Sequence, residues 1–65
     1  MEKITLSAAR VNKGFSQKEA AKRLGVSNKT LCNWENGKTF PSQPHIERIC
    51  DLYGIPYDYI KFTAN

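Results

Sequence analysis

Residues 16–42 read SQKEAAKRLGVSNKTLCNWENGKTFPS, and they carry the clearest structural signals in the chain. Its apolar residues recur at helical spacing more than in strict alternation, and strand-forming residues are sparse. Gly25 interrupts the pattern and Gly37 closes it. The stretch therefore predicts two short helices, residues 16–24 and 28–36, joined by a tight turn.

Polar residues mark where these two helices begin. Ser16 and Glu19 have the spacing of a capping box, in which a hydroxyl and a carboxylate satisfy free amide donors at a helix start. Ser27 is a favourable cap for the second helix. Leu31 and Trp34 are three residues apart, so we expect both to face the core.

Similar signals outside this stretch predict three further helices and an all-α, five-helix fold. The first covers residues 6–13, between Thr5 as a cap and a glycine that ends it. The fourth runs from residue 42 or 44 to residue 53, with apolar residues on one face. A last short helix is predicted from Pro56 to about Lys61.

Length and composition limit what the chain can be. It has 65 residues, 40% of them hydrophobic. A chain of this size buries only about 60% of the surface it exposes when unfolded, so we expect one small domain over residues 1–65. No run approaches the roughly 18 to 20 apolar residues of a membrane span, and the first ten residues lack a secretory signal. We therefore expect a cytosolic protein with no membrane partner.

The cysteine and histidine content predicts neither disulfides nor a metal site. Cys32, Cys50 and the single His45 supply neither a disulfide framework nor the ligand spacing of structural zinc. We expect reduced thiols, no metal and no cofactor. Cys50 is interpreted as core filler and Cys32 as a passive thiol.

Basic side chains are concentrated in the first part of the chain. Residues 1–38 carry eight basic and three acidic side chains, a net +5, whereas residues 39–65 carry two and three, a net −1. This asymmetry predicts an anionic partner for the first part. Nucleic acid is favoured over a membrane because no strongly amphipathic basic helix with large apolar residues is present.

Two short helices joined by a glycine-containing turn within a basic segment are the sequence form of a helix-turn-helix, here at about residues 16–36. The second helix of such a pair can enter the major groove of DNA, while the first lies across the backbone. The stretch resembles the signature of the Cro and phage-repressor family of helix-turn-helix proteins, and the likeness extends from about residue 6 to residue 60. It rests on Ser16 with Gln17, Ala21, Gly25 with Val26, the run Trp34, Glu35, Asn36 and Gly37, and Pro41 with Ser42.

The resemblance implies a homodimer that binds a two-fold double-stranded DNA operator through its third helix and regulates transcription, typically by repression. Gln17 matches the family's phosphate-binding glutamine. Asn28, Lys29 and Asn33 match its base-reading positions, and Asn and Lys can donate to adenine and guanine edges. Solvated surface side chains are the alternative interpretation. Further expected phosphate contacts are Thr30, Asn36, Lys38, Lys18 and Lys13.

By the same resemblance, Arg10 and Glu35 are expected to form an ion pair between the first and third helices, with a structural role. Ala9 and Ala20 depart from the family pattern, because bulkier aliphatic residues are common at those positions. The departure predicts closer helix packing or compensation by larger neighbours.

The chain has more aromatic side chains than its core can easily absorb, so we expect a dimer interface at Phe40, Tyr57, Tyr59 and Phe62. Two other classes of protein remain open. A protein-interaction module that has kept the fold, such as an anti-repressor or an antitoxin, would lack an operator of its own. A small enzyme is disfavoured, since no nucleophile with a base, paired carboxylates or phosphate-binding glycine loop is found.

Overall fold

The computed structural model describes residues 3–62. Within that range the chain forms four α-helices, one short 3-10 helix and two very short strands. In chain order these are β1 (Ile4–Thr5), α1 (Leu6–Lys13), α2 (Gln17–Leu24), α3 (Asn28–Glu35), α4 (Gln43–Tyr53), the 3-10 helix Tyr57–Tyr59 and β2 (Ile60–Lys61).

The first three helices begin at the predicted caps. In each, the hydroxyl of Thr5, Ser16 or Ser27 accepts a hydrogen bond from the backbone N–H three residues further on, at 3.0 to 3.1 Å. Of the predicted capping box only the hydroxyl half forms, because the Glu19 carboxylate accepts a hydrogen bond from Arg23 instead. These caps fix the start of both helices in the helix-turn-helix.

The turn between α2 and α3 depends on Gly25. Its φ is +75°, a left-handed conformation that side chains rarely adopt, and its N–H bonds to the Lys22 carbonyl at 3.2 Å. The next amide, of Val26, bonds to the Ala21 carbonyl. The chain therefore turns within a few residues, and α3 packs directly against α2.

One core lies between the helices. Ala20 and Ala21 are almost completely buried, and their small side chains let α2 approach its neighbours closely. Leu31 and Trp34 face inward, as their spacing predicts. The other buried hydrophobic residues are Leu6, Ala9, Leu24, Ile46, Ile49, Tyr53, Ile60 and Phe62.

The all-α helix-turn-helix class fits, but the predicted five-helix count is not confirmed. After Pro56 the chain makes only the single 3-10 turn and then extends as β2, which pairs in parallel with β1. Ile60 lies opposite Ile4. Burial alternates from Ile60 to Phe62, inward, outward, inward, which is the period of a strand. Aromatic and β-branched residues favour this extended form, and pairing with β1 outweighs the helical preference expected locally.

No helix within residues 3–62 has both the length and the apolar character needed to cross a membrane.

Candidate nucleic-acid interface

The outer face of α3 carries the three residues predicted to read bases. Asn28 and Lys29 are exposed and Asn33 is partly buried, one helical turn after Lys29. None of these three side chains hydrogen-bonds to another group among the described residues. We call Asn28, Lys29 and Asn33 the recognition face. Because Leu31 and Trp34 anchor the opposite side of α3 in the core, this face is held outward on a rigid element.

Next to the recognition face, the Ser27 and Thr30 hydroxyls lie at the start of α3. Their oxygen atoms are 2.8 Å apart, and the Ser27 hydroxyl also accepts from the Thr30 amide. Thr30 is partly buried. Its hydroxyl is thus already engaged in holding the helix start, so a phosphate contact there would have to share the hydroxyl with Ser27.

A single carboxylate at the end of α3 joins three parts of the fold. Glu35 Oε2 accepts from Arg10 Nε at 2.8 Å, and Glu35 Oε1 accepts from Gln17 Nε2 at 3.0 Å. Arg10 Nη1 also donates to the Phe15 carbonyl at 2.8 Å. The structure therefore brings Arg10 and Glu35 together and places Gln17 in the same network. We call Arg10, Gln17 and Glu35 the Glu35 network.

Tyr53 lies beside this network and was not singled out as functional by the sequence analysis. Its side chain is buried, and its hydroxyl has no hydrogen-bond partner among the described residues. Burial, and secondarily the negative charge of Glu35, raises the pKa of Tyr53 to about 12, while Arg10 acts in the opposite direction. The phenol therefore stays neutral next to the ion pair at physiological pH.

The loop after α3 presents two more of the predicted phosphate contacts. Asn36 is exposed, and its Nδ2 donates to Cys32 Sγ at 3.3 Å. Lys38 is exposed, and its backbone N–H bonds to the Asn33 carbonyl at 2.9 Å. Cys32 is thus a free, partly buried thiol that supports the position of Asn36.

The remaining two predicted phosphate contacts lie on α1 and α2. Lys18 is exposed in the first turn of α2. Lys13 is also exposed, but its Nζ lies near the end of α4, where a Cβ on Gly54 would be 3.5 Å from it. The carbonyl end of a helix attracts a cation, which accounts for that position of the ammonium group.

His45 lies beside Ser42 and Trp34, and Cys50 packs against the core. His45 Nδ1 is 2.8 Å from the Ser42 hydroxyl, and its ring lies 5.2 Å from that of Trp34. Cys50 is partly buried at the core, and burial, followed by the negative charge of Asp51, raises the pKa of its thiol. Across residues 3–62, no three His, Cys, Asp or Glu side chains cluster as metal ligands.

The four aromatic residues predicted for a dimer interface do not share one environment. Phe40, Tyr57 and Tyr59 are exposed, whereas Phe62 is 7% exposed and belongs to the core. Phe62 supports the other two members of a cluster, with ring centroids 5.4 Å from Phe40 and 5.6 Å from Tyr57. We call Phe40, Tyr57 and Phe62 the aromatic patch. Tyr59 lies outside it, in a groove of about 410 Å³ beside α1.

This α2–turn–α3 unit, with an outward polar face on α3, defines a helix-turn-helix protein. The chain belongs to the helix-turn-helix family, whose model matches residues 6–60, and the resemblance to Cro-like and phage-repressor proteins is confirmed. It is similar to the HTH-type transcriptional regulator ImmR of Bacillus subtilis (strain 168), with 34% identity over 55 residues. The match covers 85% of this chain but 43% of the relative, so the chain spans less than half the relative's length. No solved structure matches the chain.

Proposed function

We propose that the chain is a transcriptional regulator that binds double-stranded DNA in a sequence-specific manner, without a catalytic step, in the cytoplasm. The observation that carries this proposal is the recognition face. Its three side chains can donate to base edges, they have no competing partner within the described residues, and they stand on a helix anchored by Leu31 and Trp34. Membership of the helix-turn-helix family and similarity to a transcriptional regulator support the same function.

Phosphate contacts are proposed to fix the position of α3 in the groove. Gln17 begins α2, where backbone N–H groups and the helix dipole favour an anion. Asn36 and Lys38 lie just beyond the C-terminal end of α3, whose last residue, Glu35, bonds to Gln17, so the three side chains could hold a backbone at that end of the recognition face. Thr30, Lys18 and Lys13 are proposed as weaker contacts. The net +5 of residues 1–38 would add attraction that does not depend on sequence.

A homodimer on a two-fold operator is proposed because one copy offers only three base-reading side chains. Two copies related by a two-fold axis would double the base contacts, and the aromatic patch offers an exposed apolar surface for their association. Tyr59 is a further proposed interface residue. Under this proposal Phe62 acts from beneath the surface by supporting Phe40 and Tyr57.

The proposal can be tested by selecting bound sequences from a pool of random double-stranded DNA. We expect enrichment of two inverted half-sites whose centres are about one helical turn, or roughly 10 base pairs, apart. Affinity for the selected DNA should fall steeply with salt, because bound lysines release counterions from the phosphates.

A protein-interaction module would give a different result. Selection would then enrich no sequence, and any weak DNA binding would be equal on all duplexes. That outcome would overturn the proposed operator binding. It would favour the aromatic patch as a surface that binds another protein.

A further inference from the structure

We propose that Glu35 is a positioning residue for DNA binding, because it holds the Gln17 side chain in the orientation that donates to a phosphate. This inference rests on the proposed function and deepens it. Glu35 itself would touch no DNA, and its effect would pass through Gln17.

The two oxygens of Glu35 have separate partners on separate helices. Oε2 accepts from Arg10 of α1, and Oε1 accepts from Gln17 of α2. The Glu35 side chain is only 6% exposed, so little water competes for these bonds. An ionised acceptor of this kind makes hydrogen bonds roughly twice as strong as neutral ones.

The bond to Glu35 decides which way the Gln17 amide faces. A carboxylate can only accept, so the Nε2 group must lie on the Glu35 side and the carbonyl oxygen on the other. Nε2 has two N–H donors, and one is used by Glu35. We assign the second N–H to a phosphate oxygen bound at the start of α2, where helix N–H groups favour an anion. A freely rotating amide would present its oxygen to the phosphate part of the time, and that arrangement is repulsive.

Arg10 completes the arrangement in two ways. Its Nη1 donates to the Phe15 carbonyl, which fixes the chain two residues before Gln17. Its positive charge also neutralises Glu35 at 2.8 Å, so the carboxylate can lie near a phosphate site without repelling the DNA. The network thus positions a neutral donor while adding no net charge.

The positioning role and simple electrostatics predict opposite changes in DNA affinity for Glu35→Gln. Removing a negative charge near DNA should strengthen binding if charge alone matters. In Glu35→Gln an NH2 donor replaces one of the two carboxylate oxygens, so either Arg10 or Gln17 would face a donor where it now has an acceptor. The positioning role therefore predicts that affinity falls about fivefold, which is the effect of one lost hydrogen bond.

The experiment measures the dissociation constants of the full chain and its variants on the selected operator and on unrelated DNA, at a temperature where circular dichroism shows each variant folded. We expect Glu35→Gln and Gln17→Ala to weaken binding to both DNAs by a similar factor, since a phosphate contact carries no sequence information. The double variant should bind no more weakly than Gln17→Ala alone. Glu19→Gln is the matched control, because it removes an exposed carboxylate from α2 that does not contact Gln17, and it should bind as well as the parent or better.

One substitute variant and one further readout keep the outcome decisive. If Glu35→Gln unfolds, Glu35→Asp takes its place, because it keeps the charge but is one methylene too short to reach both Arg10 and Gln17. In the free protein, the Gln17 side-chain amide resonances should move in either Glu35 variant and stay in place in Glu19→Gln.

Failure of the inference is distinguishable from failure of the proposed function. A parent chain that binds no DNA overturns both. A parent that binds, together with a Glu35→Gln variant that binds equally or more tightly, or with additive losses in the double variant, overturns the positioning role alone.

Discussion

Arg10 Nε lies 2.8 Å from Glu35 Oε2, and this ion pair ties α1 to the end of α3 with side-chain exposures of 13% and 6%. A second pair, between Arg23 and Glu19, has a separation of 3.3 Å and exposures of 54% and 50%. Solvent and salt screen the second pair far more than the first. The two pairs therefore allow the contribution of burial to be measured within one small protein.

Arg10→Met should lower the free energy of unfolding by about 3 to 5 kcal/mol, because it leaves the Glu35 charge buried without its partner. A core of this size supplies a total stability of that order, so the variant should be largely unfolded at 25 °C. Glu19→Gln should cost less than about 1 kcal/mol. Circular dichroism at 25 °C without urea checks the loss of folded Arg10→Met, and urea denaturation followed by circular dichroism measures the cost of Glu19→Gln.

The cost at Arg10 should come mainly from the isolated charge and less from the lost attraction. Replacing both partners, by Arg10→Met with Glu35→Leu, removes that charge and should recover much of the stability. Equal losses in Arg10→Met and in Glu19→Gln would contradict the view that burial distinguishes the two pairs.

Asn33→Ala should weaken binding to the selected operator by about 1 to 3 kcal/mol while leaving binding to unrelated DNA nearly unchanged, because a base contact is lost and no phosphate contact is. Titrations of both DNAs at one salt concentration measure the ratio of the two dissociation constants. Asn12→Ala is the control, since Asn12 is an exposed asparagine of α1 that lines the groove beside Gly54. Equal losses on the two DNAs would refute base reading by Asn33.

Tyr53→Phe should change how stability depends on alkaline pH. The pKa of Tyr53 is raised from 10.0 to about 12 in the folded chain, first by burial and then by Glu35. Between these values the unfolded chain releases a proton that the native chain keeps, so stability falls as pH rises, by about 1.4 kcal/mol per pH unit. Below pH 10 both states hold the proton and the effect is absent.

Urea unfolding at pH 8, 10 and 11 measures this dependence. Tyr53→Phe should lose the part of the alkaline slope that Tyr53 contributes, and the exposed Tyr57→Phe should keep it. At pH 8 the Tyr53→Phe variant should be at least as stable as the parent, because the hydroxyl it removes has no partner within the described residues. A clear loss of stability at pH 8 would show that the hydroxyl makes a favourable interaction.

The four long helices were predictable from sequence because their signals are local. Thr5, Ser16 and Ser27 mark the starts, and each helix carries its own periodic apolar face. The extension at Ile60 was missed because it depends on pairing with Ile4, 56 positions earlier in the chain.

The candidate site likewise contains residues that the sequence indicated and contacts that it did not. The recognition face was expected through the family resemblance, and the helical period of α3 agrees with it for Lys29 and Asn33. The bond from Gln17 to Glu35 and the buried Tyr53 hydroxyl depend on how separate helices approach one another. No pattern within one helix encodes such a contact. The Arg10–Glu35 pair was expected only through the family resemblance, and spacing alone would not have indicated it.

Phe40→Ser should weaken self-association, because Phe40 is the most exposed member of the aromatic patch and the only one in the loop between α3 and α4. We expect the dimer dissociation constant on a two-site operator to rise about tenfold or more, as for truncation of an aromatic anchor at an interface. Analytical ultracentrifugation, with and without operator DNA, measures the oligomeric state.

Val11→Ser is the matched control: Val11 is 60% exposed, Phe40 is 59% exposed, and Val11 lies outside the patch. A parent chain that remains a monomer even on a two-site operator would rule out the dimer. Equal weakening by both substitutions would show that the loss of exposed apolar surface in general causes the effect. The aromatic patch would then not be the interface.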